Sequence, residues 1–184
     1  MHRLCLLLWL FLPPAVLADE VVPICYGYGC AAQDEVRFPE DGLKLLGGQL
    51  RAAVDAQKER ELLAQAIGQL YAWAGEVSDI RNDRGGNYED GHSPGKMDCI
   101  DHSTSTTRLL KMLDARGYLR WHRVGEIDVR RRIFVILEHY SAVIEEKSDG
   151  APARFVVDSW FVDNGQPAVI LPLDEWKKGA GPDV

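Results

Sequence analysis

Apolar residues recur at helical spacing in the first half of the chain and as short β-rich runs in the second. This division limits the fold more than any other feature. Leu62, Ala66, Ile67, Leu70, Tyr71 and Ala74 form one stripe within residues 58–76, the pattern of an amphipathic helix; its start can lie as far back as Leu50, beyond Gly47-Gly48. A second helix is expected over residues 98–115. Asp98 is a capping residue, Asp101 puts negative charge in the first turn, Leu109, Leu110 and Leu113 anchor the later turns, and Arg116-Gly117 ends it. Residues 119–124, 133–137, 139–145, 155–157 and 168–171 are then short β-rich runs. Ser148-Asp149-Gly150 and Asn164-Gly165 suit the turns between them. Helices first and strands second predict an α+β domain, with an antiparallel sheet packed on the helix that starts at Cys99. Residues 19–42 read as an irregular arm. Residues 78–96, dense in Gly, Asp, Asn and Pro, read as a loop without bound calcium, because Arg81 and Arg84 fall where oxygen ligands belong.

The N-terminus reads as an address. Met1-His2-Arg3, an apolar run to Leu12, the Pro13-Pro14 break and Val16-Leu17-Ala18 form a secretory signal peptide over residues 1–18. The apolar run is far shorter than the roughly 20 residues needed to cross a bilayer, so no stable membrane insertion is expected. The expectation is an exported protein, periplasmic or extracellular, with one domain over residues 19–184. Loss of Arg3 with the leader takes the net charge from −7 to −8. Such an acidic domain is a poor partner for nucleic acid. Arg130-Arg131-Arg132 reads as a solvated strand start.

Cysteine usage narrows the chemistry. Cys5 leaves with the leader. Cys25-Tyr26-Gly27-Tyr28-Gly29-Cys30 carries two glycines in a four-residue gap, which lets a tight turn bring both sulfurs together in an oxidising compartment. A loop this small stabilises by roughly 2 kcal/mol in the chain-entropy model. Cys99 is left as an odd thiol, either reactive or buried and inert.

A reactive thiol needs an ionised or readily ionised sulfur, and a free cysteine is only a few per cent thiolate at neutral pH. Cys99 sits at a helix start, where the backbone favours negative charge, although the Asp98 carboxylate opposes it. A histidine partner therefore matters. His139 lies between two apolar runs, as a residue held rigid on a buried strand would. Asp158 closes Phe155-Val156-Val157, so a strand ending in a carboxylate can orient an imidazole on its neighbour. A zinc site using Cys99 and His102 lacks any supporting paired spacing.

Cysteine on a helix start, histidine on a strand and aspartate on the next strand follow one order of parts. Asp98-Cys99-Ile100-Asp101, His139-Tyr140-Ser141-Ala142-Val143-Ile144 and Val156-Val157-Asp158-Ser159-Trp160 together resemble the transglutaminase-like superfamily, with its papain-type core. The bacterial transglutaminase-like cysteine peptidases are the nearest branch, and the likeness covers roughly residues 55–175. The resemblance implies Cys99, His139 and Asp158 as a catalytic set. It also implies thioester chemistry on a peptide or protein substrate, with no cofactor. Peptidase, amidase and acyl transfer all remain open, as does a module of the cell envelope that keeps the fold without catalysis, for which Tyr26, Tyr28 and Trp160 would be exposed aromatics. Acids around the cysteine bind calcium in that branch, but Ile100 separates Asp98 from Asp101 here. The Cys99 N–H is a natural oxyanion donor, with Asn82 or Asn87 as a second.

Overall fold

A computed structural model describes residues 18–86, 93–132 and 137–183. The expected leader lies outside the described residues except for Ala18, as do Asn87 and most of the expected strand at 133–137. No described helix is long and apolar enough to cross a membrane.

The chain opens on a hairpin rather than the irregular arm expected. β1 (Glu20–Tyr26) and β2 (Ala32–Phe38) pair antiparallel, from Glu20↔Phe38 to Tyr26↔Ala32. Val22, Ile24, Val36 and Phe38 are buried while Val21, Glu35 and Arg37 are exposed. The period of two is present, but Pro23 and Asp34 dilute it. Two helices follow where one was expected: α1 (Glu40–Arg51) and α2 (Ala56–Val77). Asp55 separates them and caps α2 by accepting the Lys58 N–H at 2.7 Å. Gly47 lies inside α1 instead of breaking it. A β-carbon there would stand 2.4 Å from the Tyr118 ring, so the glycine lets that ring press on the helix backbone.

α3 (Cys99–Ala115) begins and ends where its capping residues predict. The sheet follows. β3 (His122–Val124) and β4 (Asp128–Arg132) pair with the two ends of β5 (Leu137–Glu146), whose other edge carries β6 (Arg154–Asp158) and then β7 (Val169–Pro172). All pairings among these described strands are antiparallel. The basic run at 130–132 is thus strand β4. A short helix, α4 (Leu173–Lys177), closes the described chain. The architecture is α+β.

Alternation along β5 and β6 gives the sheet two apolar faces. Ala142, Ile144 and Val157 join the main core with Leu109, Leu110 and Leu113 of α3 and the apolar stripe of α2. Each fully buried leucine contributes about 2 kcal/mol. Val143 and Val156 face the other way, into a smaller cluster with Trp160, Phe161, Leu173 and Trp176. That second face positions the site.

One buried carboxylate ties α2 to the sheet. Glu59 is fully buried and accepts the backbone N–H groups of Arg120, Trp121 and His122, and the His122 ring at 2.9 Å. Burial pushes its carboxyl up, but the His122 ring and the Arg120 and Trp121 N–H groups outweigh that and hold it below its usual range. Its stabilising contribution is therefore complete above the ordinary carboxylate range and is lost as pH falls through the depressed value. Glu59→Ala should cost about 3 kcal/mol, because three N–H groups and an imidazole lose their acceptor together. Chemical denaturation at pH 7 checks this, and a loss below about 0.5 kcal/mol would contradict it.

Candidate functional site

The start of α3 is unusually well held. Asp98 Oδ1 accepts the N–H groups of Ile100 (3.0 Å) and Asp101 (2.9 Å), and Asp101 Oδ2 accepts the Asp98 N–H at 3.1 Å. This reciprocal capping box leaves the N–H of Cys99, the first helical residue, facing its own sulfur. The remaining carboxylate capacity goes to the hairpin turn. Cys25 and Cys30 are bridged, and Gly27, Tyr28, Gly29 and Cys30 all adopt left-handed backbone (φ 82°, 68°, 66° and 58°). Successive left-handed residues aim their N–H groups at one point. Here Tyr28 and Cys30 donate to Asp101 (2.8 and 2.6 Å) and Gly29 donates to Asp98 (2.9 Å). For the non-glycine residues such backbone costs about 1–3 kcal/mol each, which charge-assisted hydrogen bonds offset. Cys25, Cys30 and Asp101 lie within metal-ligand distance of one another, but the two sulfurs are spent on each other.

On the second face of the sheet, His139 Nε2 meets Asp158 Oδ2 at 2.7 Å. Asp158, at the end of β6, is almost wholly buried; its Oδ2 also accepts the Trp176 indole N–H (3.0 Å) and its Oδ1 the Trp160 N–H (3.3 Å). The imidazole is enclosed by aromatics, with ring centroids at 4.8 Å to Trp160, 5.4 Å to Phe161 and 5.6 Å to Trp176. A carboxylate acceptor at Nε2 requires the hydrogen there, so Nδ1 is the nitrogen left to accept a proton.

Cys99 reaches the same place from α3. β6 stops pairing with β5 at Ala142↔Val157, and beyond that point the half-buried sulfur meets β5 itself. The thiol donates to the Glu138 carbonyl at 3.9 Å, one residue before His139, and the Tyr140 N–H faces it. It packs against the same cluster that encloses the imidazole. Burial pushes the thiol up, the Tyr140 N–H draws it down, and the charges of Asp98 and Asp158 push it up again; the net shift is upward. The expectation from the helix start alone runs the other way. The difference comes from the two carboxylates and from partial burial.

No family model, curated protein or solved structure matches the chain. What the site can do therefore rests on its own geometry. His139 and Asp158 are in direct contact, and Cys99 packs against the same aromatic cluster while its thiol bonds to a carbonyl. His102 stands apart from Cys99, since one ring nitrogen meets Asp83 and the other Ser159. Asn82 donates to Pro94 O at 3.4 Å. Trp160 is buried rather than exposed, and Tyr26 and Tyr28 are partly covered. Trp176 was not singled out from the sequence, because the short helix that carries it has no periodic signal of its own.

The acids around the thiol have a measurable consequence. Burial pushes the Asp101 carboxyl up, and although the Asp98, Cys30 and Tyr28 N–H groups pull it down, the Asp98 charge adds to the rise and it comes to about 6 against an ordinary 3.8. The folded protein thus holds a proton that the unfolded chain has released, so Asp101 lowers stability as pH rises between those two values. Asp101→Asn removes that slope. The stability of the variant relative to the wild type should shift in the variant's favour from pH 4 to pH 7, and a difference that stays flat in denaturation across this range would refute the assignment.

Proposed function

We propose that the chain is an exported thiol enzyme of transglutaminase-like type that acts on an amide bond through Cys99, His139 and Asp158. The observation that carries this reading is the 2.7 Å His139–Asp158 contact inside an aromatic wall that also receives Cys99 from a helix start. Cysteine on a helix packed against an antiparallel sheet, with histidine and aspartate on neighbouring strands, is the arrangement the papain-type core would require. The Cys25–Cys30 bridge suits an oxidising compartment.

In this reading the resting sulfur is a neutral thiol, given its raised pKa. Proton removal then accompanies attack instead of preceding it. The Cys99 side chain turns from the Glu138 carbonyl and passes its proton to His139 Nδ1 as the sulfur bonds to the amide carbon. The carbonyl oxygen gains the electron pair and faces the Cys99 N–H, which the sulfur releases as it turns. Asp158 stabilises the imidazolium without taking its proton. The carbon–nitrogen bond breaks, His139 gives its proton to the departing amine, and a thioester remains on Cys99. Water then releases an acid in a peptidase or amidase, whereas an incoming amine would give acyl transfer.

The second reading is a module of the cell envelope that keeps the fold without turnover. The raised thiol pKa and the bond to the Glu138 carbonyl favour it. An amide-mimic probe with a thiol-directed warhead separates the two. Labelling should vanish in Cys99→Ala and slow by about 10²–10⁴-fold in His139→Ala, the range for loss of a general base. Equal rates for the wild type and His139→Ala would establish the inactive module instead.

A further inference from the structure

A second group of polar side chains lies on the main-core side, apart from the aromatic wall. Asp83 Oδ1 accepts the Met97 N–H at 2.9 Å, two residues before Cys99. Its Oδ2 meets His102 Nε2 at 2.9 Å, one helical turn after Cys99. The other ring nitrogen, Nδ1, meets Ser159 Oγ at 2.8 Å, and Ser159 directly follows Asp158. Ser159 Oγ also meets Thr106 Oγ1 (2.9 Å), which meets the Tyr71 hydroxyl (3.0 Å).

The protons along this chain have one consistent direction. Burial pushes Tyr71 up to about 12, so its hydroxyl is a donor. With the His102 Nε2–H given to Asp83, Nδ1 is left to accept from Ser159, Ser159 accepts from Thr106, and the Tyr71 hydroxyl is shared between Thr106 and the His102 carbonyl at 3.4 Å. Each hydroxyl between the ends donates once and accepts once, so the arrangement is saturated. Asp83 is 1 % exposed, and His102 and Ser159 are each 4 % exposed. Breaking one link leaves a buried group unpaired at a cost of about 1–3 kcal/mol, which fixes a single geometry.

Aspartate, histidine and serine in hydrogen-bonded series are also the parts of an acyl-transfer site. This one has no room for substrate. The adjoining cavity, lined in part by Tyr71, His102 and Ser159, has a volume of about 10 Å³, roughly the space of one water. What the chain does span is the distance from the segment that presents Cys99 to the residue beside Asp158.

We propose that Asp83, His102 and Ser159 are positioning residues that hold the start of α3 and the end of β6 in one fixed relation, so that Cys99 meets the His139–Asp158 pair. The inference rests on the assignment of Cys99, His139 and Asp158 as the reacting set. It places a buried polar tie on the main-core side, away from the aromatic wall.

The test uses the full domain and two variants. His102→Gln keeps a donor for Asp83 but releases Ser159, and Ser159→Ala deletes the hydroxyl at the far end. The first readout is hydrogen exchange of the His139 Nε2 proton by NMR with ¹⁵N-labelled histidine, which reports the Asp158 contact directly. The second is the rate of Cys99 labelling by the amide-mimic probe, split into maximal rate and half-saturating concentration. Both variants should speed exchange of the His139 proton and lower the maximal labelling rate by about tenfold to hundredfold, with the half-saturating concentration unchanged. A His139 proton that exchanges as in the wild type, in whichever variant folds, overturns the proposal whatever happens to melting temperature. Failure of the enzyme reading looks different, since Cys99 labelling is then indifferent to His139→Ala while the ring proton still answers to His102→Gln.

Discussion

α3 is the constraint on which the rest depends, because one helix has to satisfy two kinds of surroundings along its length. Its later turns bury Leu109, Leu110 and Leu113 against α2 and the sheet. Its earlier turns bury Asp101, His102, Ser103, Ser105 and Thr106, each with a hydrogen-bond partner. A run of serine and threonine is a poor helix former in isolation, since those side chains compete for the backbone. Two of them are drawn outward instead, while Ser103 bonds the Ile100 carbonyl of its own helix and the buried Thr107 hydroxyl has no partner among the described residues. Ser105 accepts the Cys25 N–H at 2.9 Å from the hairpin, and Thr106 meets Tyr71 of α2 and Ser159 beyond β6. The polar end supplies direction and the apolar end supplies most of the free energy, so the helix start is fixed by bonds and not by packing alone.

That fixity bears on the chemistry proposed for Cys99. The thiol is pushed up by burial and by two nearby carboxylates, which argues against a standing ion pair. A neutral sulfur is a weak nucleophile, and it gains from a base only when the two are aligned at the moment of attack. The imidazole meets its half of this requirement through Asp158 and three aromatic rings. A carboxylate that also accepts the Trp176 N–H has little freedom to swing, so the ring it orients keeps one tautomer and one plane. Under the proposed function, alignment would take the place of ionisation as the source of reactivity.

Much of this was legible in the sequence. Asp98 and Arg116-Gly117 mark the ends of α3, and β6 and β7 fall within a residue or two of their β-rich runs. The cysteine spacing gives the bridge. A carboxylate closing a β-rich run, two strands' length from a histidine in another, is enough to suggest the Asp158–His139 contact. The hairpin was hidden because Pro23 and Asp34 interrupt the pattern, Asp34 on the inward face. Gly47 reads as a break in any single sequence, and its role becomes visible only with the Tyr118 ring against it. Asp83 was unreadable for a different reason. It lies in a loop among other acids and amides, and nothing local distinguishes a carboxylate that turns inward.

The support of α3 by the hairpin turn also sets an order of events. Tyr28 and Asp101 are 73 residues apart, so their contact closes a long loop and its entropy must be met before any return is gained. α2 and the later turns of α3 can associate without it. The N-terminal turn then docks onto a helix already present, and its own left-handed backbone is stabilised only by arriving there. The Cys99 end of the helix is thus expected to be completed late in assembly, after the body of the domain has formed around it.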